Sequence, residues 1–354
     1  MSISSGRWYV KSRGSREPFA KWKLASASDV NIEVTTPRPF RFAVQAMKAE
    51  SAREWRTTAR EVEDLGYSTL FVADHYLGPG PVYDRSGHLP QNLAPIAAIA
   101  TAAGATERLR VGCRVFAVDF HVPAVLASET ATLDLLSDGR LEVGIGAGYL
   151  QDEYEAMGVV YETGKRRVDK LVEVVGLLKA HWSGEQMDLT GDHVNVSGYA
   201  GLPAPVQRPH PPLMIGGSRR RLLTLAGREA DIASFNHVPF DRTDDGLTPE
   251  EELLRRVRYV REAAGERFPR IELETSPYWA VVTNDARGAV DRLAASLQMP
   301  PERLHYHPNV LIGSVDTVAE RLTQWRELTG ISYVTITRSN MGAFAHVVDR
   351  LSGR

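Results

Sequence analysis

The stretch MIGGSRRRLLTLAGREAD, Met214 to Asp231, carries residue types that suit anion binding. An apolar run ends in Gly216 and Gly217, whose missing side chains let a ligand reach the backbone. Ser218 then stands where a helix cap belongs, with Arg219 and Arg220 adding charge. Free N–H groups and the positive end of a helix dipole would face the ligand, so the spacing reads as a phosphate site. A glycine turn needed only for tight packing is the plainer alternative. In LEVGIGAGYL, Leu141 to Leu150, glycines occupy positions 144, 146 and 148. A dinucleotide-binding turn needs its last glycine where this chain has Tyr149, so the spacing excludes a Rossmann fingerprint. Other apolar runs end in Asp74 and His75, in Cys113, Arg114 and Val115, and in Ser234 with Asn236. No C-x-x-C or H-x-x-x-H spacing occurs, and the H-Y-H at His305 to His307 falls in a loop, so no metal site is expected.

The elements that must position these groups alternate from Phe40 onward. FRFAVQA, TLFVAD, LRVGCRVF, LEVGI, PLMIG, DIASF, ETSPYWAVV and SYVTIT are eight strand candidates, mostly short runs without polar alternation, as in strands buried on both faces of a parallel sheet. Helices separate them. SAREW opens one with a capping box between Ser51 and Glu54, Trp55, Ala59, Val62 and Leu65 sharing a face. RRVDKLVEVVGLLKAH carries a stripe of Val168, Leu171, Val172, Val175 and Leu178, and VDTVAERLTQWRELTG ends at Gly330. Eight such units fit a (β/α)8 TIM barrel, whose chemistry sits at the C-terminal ends of the strands, where the groups above lie. Two insertions interrupt the repeat: a turn-rich segment before PLMIG, read as a hairpin, and a charged, helical one over 241–269.

Composition narrows the partners. The chain has 354 residues, 43% hydrophobic and 24% charged, with a net charge of −2, which disfavours a nucleic-acid or anionic-membrane partner and leaves small molecules. No run of about 18 apolar residues exists to span a membrane. The single cysteine, Cys113, suits a reducing cytoplasm. Residues 1–39 are basic and serine-rich without a signal-peptide core. They read as a disordered or loosely docked extension, or a partner-binding arm, ahead of one barrel domain over 40–354.

In order and content, FAVQA, FVADHY, LRVGCRVF, LDLLSDGRLEVGIGAGYLQDEYEAMG and PPLMIGGSRRRLLTLAGREADI resemble the luciferase-like superfamily, and within it the oxidoreductases that use the deazaflavin coenzyme F420. The resemblance spans Phe40 to about Leu351. It implies that Gly216, Gly217, Ser218 and Arg219 cradle the cofactor phosphate. Gly146, Ala147, Gly148 and Tyr149 would face the ring system, and Cys113, Arg114 and Val115 would form a bulge with a non-proline cis peptide beneath its middle ring. Asp74 and His75 match the acidic residue and histidine near the reactive edge. His75 then handles a proton, because imidazole titrates near neutrality, and Asp74 orients it or contacts the cofactor. His121, Asn236 and His237 would line the substrate pocket.

One departure limits the chemistry. The sugar-phosphate dehydrogenase branch carries a catalytic glutamate where this chain has Ala147, and the basic residue that grips a substrate phosphate has no match in SFNHV. The resemblance therefore points to hydride transfer at a C=C, C=N or C=O bond of a less charged small molecule, a natural product or a dehydrated residue in a modified peptide. An FMN-dependent monooxygenase is the first alternative, since FMN uses the same phosphate loop. A non-catalytic cofactor-binding protein is the second. A homodimer is the assembly that the family's habit implies.

Overall fold

The structure, a computed structural model, describes residues 37–354 except 87 and 89. The extension expected over 1–39 therefore lies outside the described residues apart from 37–39, of which Arg38 donates to Pro269 O.

In chain order the strands are β1 (Arg41–Gln45), β2 (Thr69–Val72), β3 (Arg110–Ala117), β4 (Leu141–Gly146), β5 (Met187–Thr190), β6 (Asn195–Tyr199), β7 (Leu213–Gly217), β8 (Ile232–Phe235), β9 (Glu272–Thr275), β10 (Trp279–Val282), β11 (Val310–Gly313) and β12 (Tyr333–Thr337). Eight of them close a parallel barrel in the order β1-β12-β9-β8-β7-β4-β3-β2. Each of the eight runs in the sequence supplies one barrel strand. ETSPYWAVV divides: its first part is β9, and beyond Pro277 the chain leaves the barrel as β10, which pairs in parallel with β11. The hairpin expected before PLMIG is the antiparallel β5–β6 pair, and the 241–269 insertion carries the helix Pro249–Ala264.

Local signals hold with two corrections. Ser51 caps the helix Ala52–Asp64 by accepting from Glu54 N–H, but the Glu54 carboxylate accepts from Glu50 N–H rather than Ser51, so the box is not reciprocal. In the helix Gly164–Ser183 the buried stripe is Leu171, Val174, Val175, Leu177 and Leu178, while Val172 is 44% exposed. A stripe through 171, 174, 175 and 178 also satisfies the helical period, and packing on the barrel selects that face.

The barrel interior is filled in layers. At the N-terminal end, Arg41 and Arg110 converge on the buried Glu142 at 2.6 and 2.7 Å, and the Arg41 guanidinium lies 3.5 Å over the Tyr333 ring. Above this ionic floor sit Ala43, Phe71, Met214, Ile232 and Tyr333, with Val115 packed against them. The barrel is therefore a packed core, and the chemistry has only its C-terminal end to occupy.

Candidate active site

His75 leaves the end of β2 with its Nδ1 2.7 Å from Glu153 Oε2, while Glu153 Oε1 accepts from Tyr76 N–H at 2.6 Å. Glu153, on the short helix Gln151–Ala156, is 1% exposed. Burial of a carboxylate is tolerated where its oxygens are bonded, and here both are. The His75 ring packs 3.9 Å from the His88 ring and edge-on to Tyr149 at 5.8 Å.

Asp74 turns the opposite way, as successive residues of an extended chain do. Its Oδ2 accepts from Ala117 N–H and from His121 Nε2, each at 2.9 Å. The carboxylate that meets His75 is thus Glu153, 78 residues further on, and not the adjacent Asp74, for which orienting that ring was one of two expected roles. His121 is held by Asp74 and lies edge-on to Phe116, so these two expected site residues are brought to each other instead of to His75.

In β3 the register slips between Cys113 and Phe116, and the Arg114–Val115 peptide is cis, where the resemblance implies one. The glycines of β4 make room for this bulge. A Cβ on Gly144 would lie 2.3 Å from Cys113 O, and one on Gly146 2.8 Å from Val115 Cγ2. Gly148 answers to another neighbour: its φ is +67° and a Cβ there would lie 1.7 Å from Tyr154 Oη. Two glycines of LEVGIGAGYL therefore admit the bulge, and the third permits the turn that delivers Glu153 and Tyr154. Cys113 is fully buried, and burial, then Asp74, pushes its thiol well above the usual range, which makes it a packing residue.

Arg114 reaches across the barrel top. Its Nε donates to Glu274 Oε1 at 2.9 Å, its Nη2 to Asn236 Oδ1 at 2.5 Å and to Ser234 Oγ at 3.3 Å, and its carbonyl accepts from Gln45 Nε2 at 3.2 Å. Arg256, paired with Glu252, donates to the carbonyls of Asn236 and His237. His237 Nδ1 lies 3.2 Å from Tyr278 Oη, and its ring is 5.5 Å from Tyr149. Burial, then the Arg114 and Arg256 guanidiniums, holds the His237 imidazole below its ordinary range. Burial, followed by Tyr278 and Glu153, pushes the Tyr149 hydroxyl up to about 12. Both are uncharged at neutral pH, so the wall opposite His75 is aromatic and neutral.

After β7 the helix Arg220–Glu229 begins with Arg219, not Ser218, as its cap residue, and among the described residues no side chain accepts from its first turn. Leu222 N–H already donates to Arg219 O, which leaves the N–H groups of Arg220 and Arg221 to a ligand or to water. Of the arginines that follow, Arg221 is committed to Asp169 and Lys165 O, and Arg220 lies over the Tyr259 ring. Arg219 is exposed.

Sequence reasoning passed over Glu153, Glu274 and Tyr278. Glu153 stood inside the quoted motif, but a carboxylate between Asp152 and Tyr154 looks like a solvated helix face. A signal was present in Tyr154, its neighbour, whose burial requires that face to turn inward.

The luciferase-like monooxygenase profile matches residues 32–309, which contain every site residue named above. The chain belongs to this family. Within it, the chain is 28% identical over 274 residues to an F420-dependent glucose-6-phosphate dehydrogenase of Nakamurella multipartita, covering 76% of each protein. It is 32% identical over 127 residues to an FMNH2-dependent dimethylsulfone monooxygenase of Pseudomonas putida, covering 36% of this chain and 35% of that one. Its fold is similar to that of the coenzyme F420-dependent tetrahydromethanopterin reductase of Methanopyrus kandleri, with a TM-score of 0.68 and 16% identity over 89% of this chain and all of that one. Among the described residues no helix is long and apolar enough to cross a membrane, and no group of three or more His, Cys, Asp or Glu could hold a metal ion.

Proposed function

We propose that the chain is an F420-dependent oxidoreductase that moves a hydride between the deazaflavin and an uncharged small organic substrate, reducing a C=C, C=N or C=O bond. The observation that carries the cofactor choice is the F420-dependent relative that aligns across three quarters of both chains, against the shorter stretch shared with the FMNH2-dependent enzyme. The residues present fit such a cofactor. The start of the helix after Gly216 and Gly217 lacks a side-chain cap, which suits a phosphate, with Arg219 free to approach it. Val115, Gly146 and Tyr149 supply an uncharged wall for a flat ring. When bound, the deazaflavin supplies two-electron hydride chemistry. The chain's own part is to hold the substrate, exclude water and manage one proton, for which His75 Nε2 is available.

The substrate class follows from charge. Arg114 and Arg256, the guanidiniums that reach the strand ends beside His237, are each bound to a buried carboxylate, Glu274 and Glu252. Asn236, His237, Tyr149 and Tyr278 offer hydrogen bonds and aromatic faces instead. This favours an enone, imine, ketone or dehydroamino acid over a sugar phosphate.

The test is equilibrium binding of F420 and, separately, FMN to the purified protein and to Arg219→Glu, which reverses an exposed charge without disturbing packing. F420 should bind in preference to FMN, and the variant should bind it at least tenfold more weakly. Preference for FMN would sink the deazaflavin reading and favour the monooxygenase, whose turnover would require oxygen.

A further inference from the structure

We propose that Glu153 is a positioning residue that locks His75 in the tautomer protonated on Nδ1, so that Nε2 is the one ring nitrogen able to exchange a proton with a substrate. The inference rests on the reading above only in giving that nitrogen a task; the lock itself is a property of the chain alone.

The argument follows from fixed donors. Tyr76 N–H is a backbone group that can only donate, and it occupies Glu153 Oε1 at 2.6 Å. Glu153 Oε2 then meets His75 Nδ1 at 2.7 Å, the length of a charge-assisted N–H···O bond. A carboxylate is acceptor-only, so Nδ1 must carry the hydrogen whether the ring is neutral or cationic. Asp74 is turned to other groups: its Oδ2 accepts from Ala117 N–H and meets His121 Nε2, and among the described residues its buried Oδ1 has no hydrogen-bond partner, His75 included. His88 and Tyr149 meet the His75 ring by ring packing. The burial of Glu153 keeps water from taking either place.

The same geometry makes Glu153→Gln a tautomer inverter rather than a simple deletion. A carboxamide has one acceptor and one donor end. Tyr76 N–H cannot change role, so it retains the oxygen, and the NH2 group then faces Nδ1. The imidazole can change role, and it would accept at Nδ1 and move its hydrogen to Nε2. The pocket would then hold a donor where the native protein offers a lone pair.

The molecule contains its own reference for the inverted state. His307 Nδ1 accepts from Asn309 N–H at 3.0 Å and its Nε2 lies 3.0 Å from Pro239 O, which fixes the opposite tautomer. Burial holds its titration at about 4. The experiment is long-range proton–nitrogen correlation NMR on cofactor-free protein labelled in its imidazole nitrogens, at a pH where the rings are singly protonated. His75 is assigned by the signal lost in His75→Asn. In the native protein His75 should show the Nδ1–H pattern. In Glu153→Gln it should show the Nε2–H pattern of His307, with the His307 signals unmoved as evidence of folding. A native His75 in the Nε2–H form overturns the proposal even if the variant does not fold, and so does an unchanged pattern in a folded variant. Since no cofactor is present, the result is separate from the F420 titration, which can fail on its own.

Discussion

Replacing Arg114 by methionine keeps much of its bulk and strips the Glu274 carboxylate of its counter-charge. Glu274 is 0% exposed, its Oε1 accepts from Arg114 Nε at 2.9 Å, and its Oε2 has no hydrogen-bond partner among the described residues. Removing one member of a buried pair typically costs about 3–5 kcal/mol. Here Ser234 Oγ and Asn236 Oδ1 lose a donor as well, each worth about 1 kcal/mol. A total of about 5–7 kcal/mol is expected for Arg114→Met. Glu274→Gln added to that background removes the stranded charge, and the double variant should recover about 2 kcal/mol or more, since contacting residues couple by about 0.5–3 kcal/mol. Urea unfolding followed by the fluorescence of the buried Trp182 and Trp325 reads the native protein, Arg114→Met, Glu274→Gln alone and the double variant. If Arg114→Met costs under about 1 kcal/mol, or if the two substitutions simply add, the pair is not the counter-charge described here.

His307 makes stability depend on pH. Its neutral ring is stacked on Phe240 and 1% exposed, and burial holds its titration at about 4. An unfolded chain binds that proton near pH 6.5 and the native one does not, so stability should fall as pH drops from about 6.5 to about 4, by at most about 1.4 kcal/mol per pH unit. The urea midpoint of His307→Gln should be flatter over that window; an identical slope would assign the effect elsewhere. Two glycines with similar φ, +67° at Gly148 and +72° at Gly158, separate backbone strain from packing, since only Gly148 has a neighbour where a Cβ would go. Gly158→Ala should cost about 1–2 kcal/mol from the left-handed backbone alone. Gly148→Ala must also displace the buried Tyr154, so thermal melting should show at least twice the loss; equal losses would mean that Tyr154 moves freely.

Barrel strands buried on both faces advertise themselves, because a continuous apolar run such as LEVGI or PLMIG has few other uses. That is why all eight were legible, down to the slip in β3 that the resemblance located. β11 was not: VLIG is equally apolar, but it follows the loop around His307, and counting to eight left no vacancy for it. The cap after Gly217 shifted by one residue because Ser218 looks the better cap, whereas the cap position falls on Arg219. Asp74 and Glu153 show the deeper limit. Which way a side chain points just beyond a strand depends on the partners that reach it, and His75 finds its carboxylate 78 residues away, a separation that no local spacing encodes.

The closing seam of the barrel has a further consequence. Phe40 N–H donates to Arg354 O at 3.0 Å, and Gly353 N–H returns a bond to Phe40 O at 2.9 Å. Phe40, just ahead of β1, and Arg354 are therefore stitched side by side, and a short peptide placed between them instead of residues 1–39 would join them without moving a strand. New ends could then be opened in an exposed connection such as the one near Asp244. Residue order along the chain and strand order around the barrel are, at this seam, independent variables, and a circularly permuted enzyme keeping His75 and Glu153 in register is open to construction.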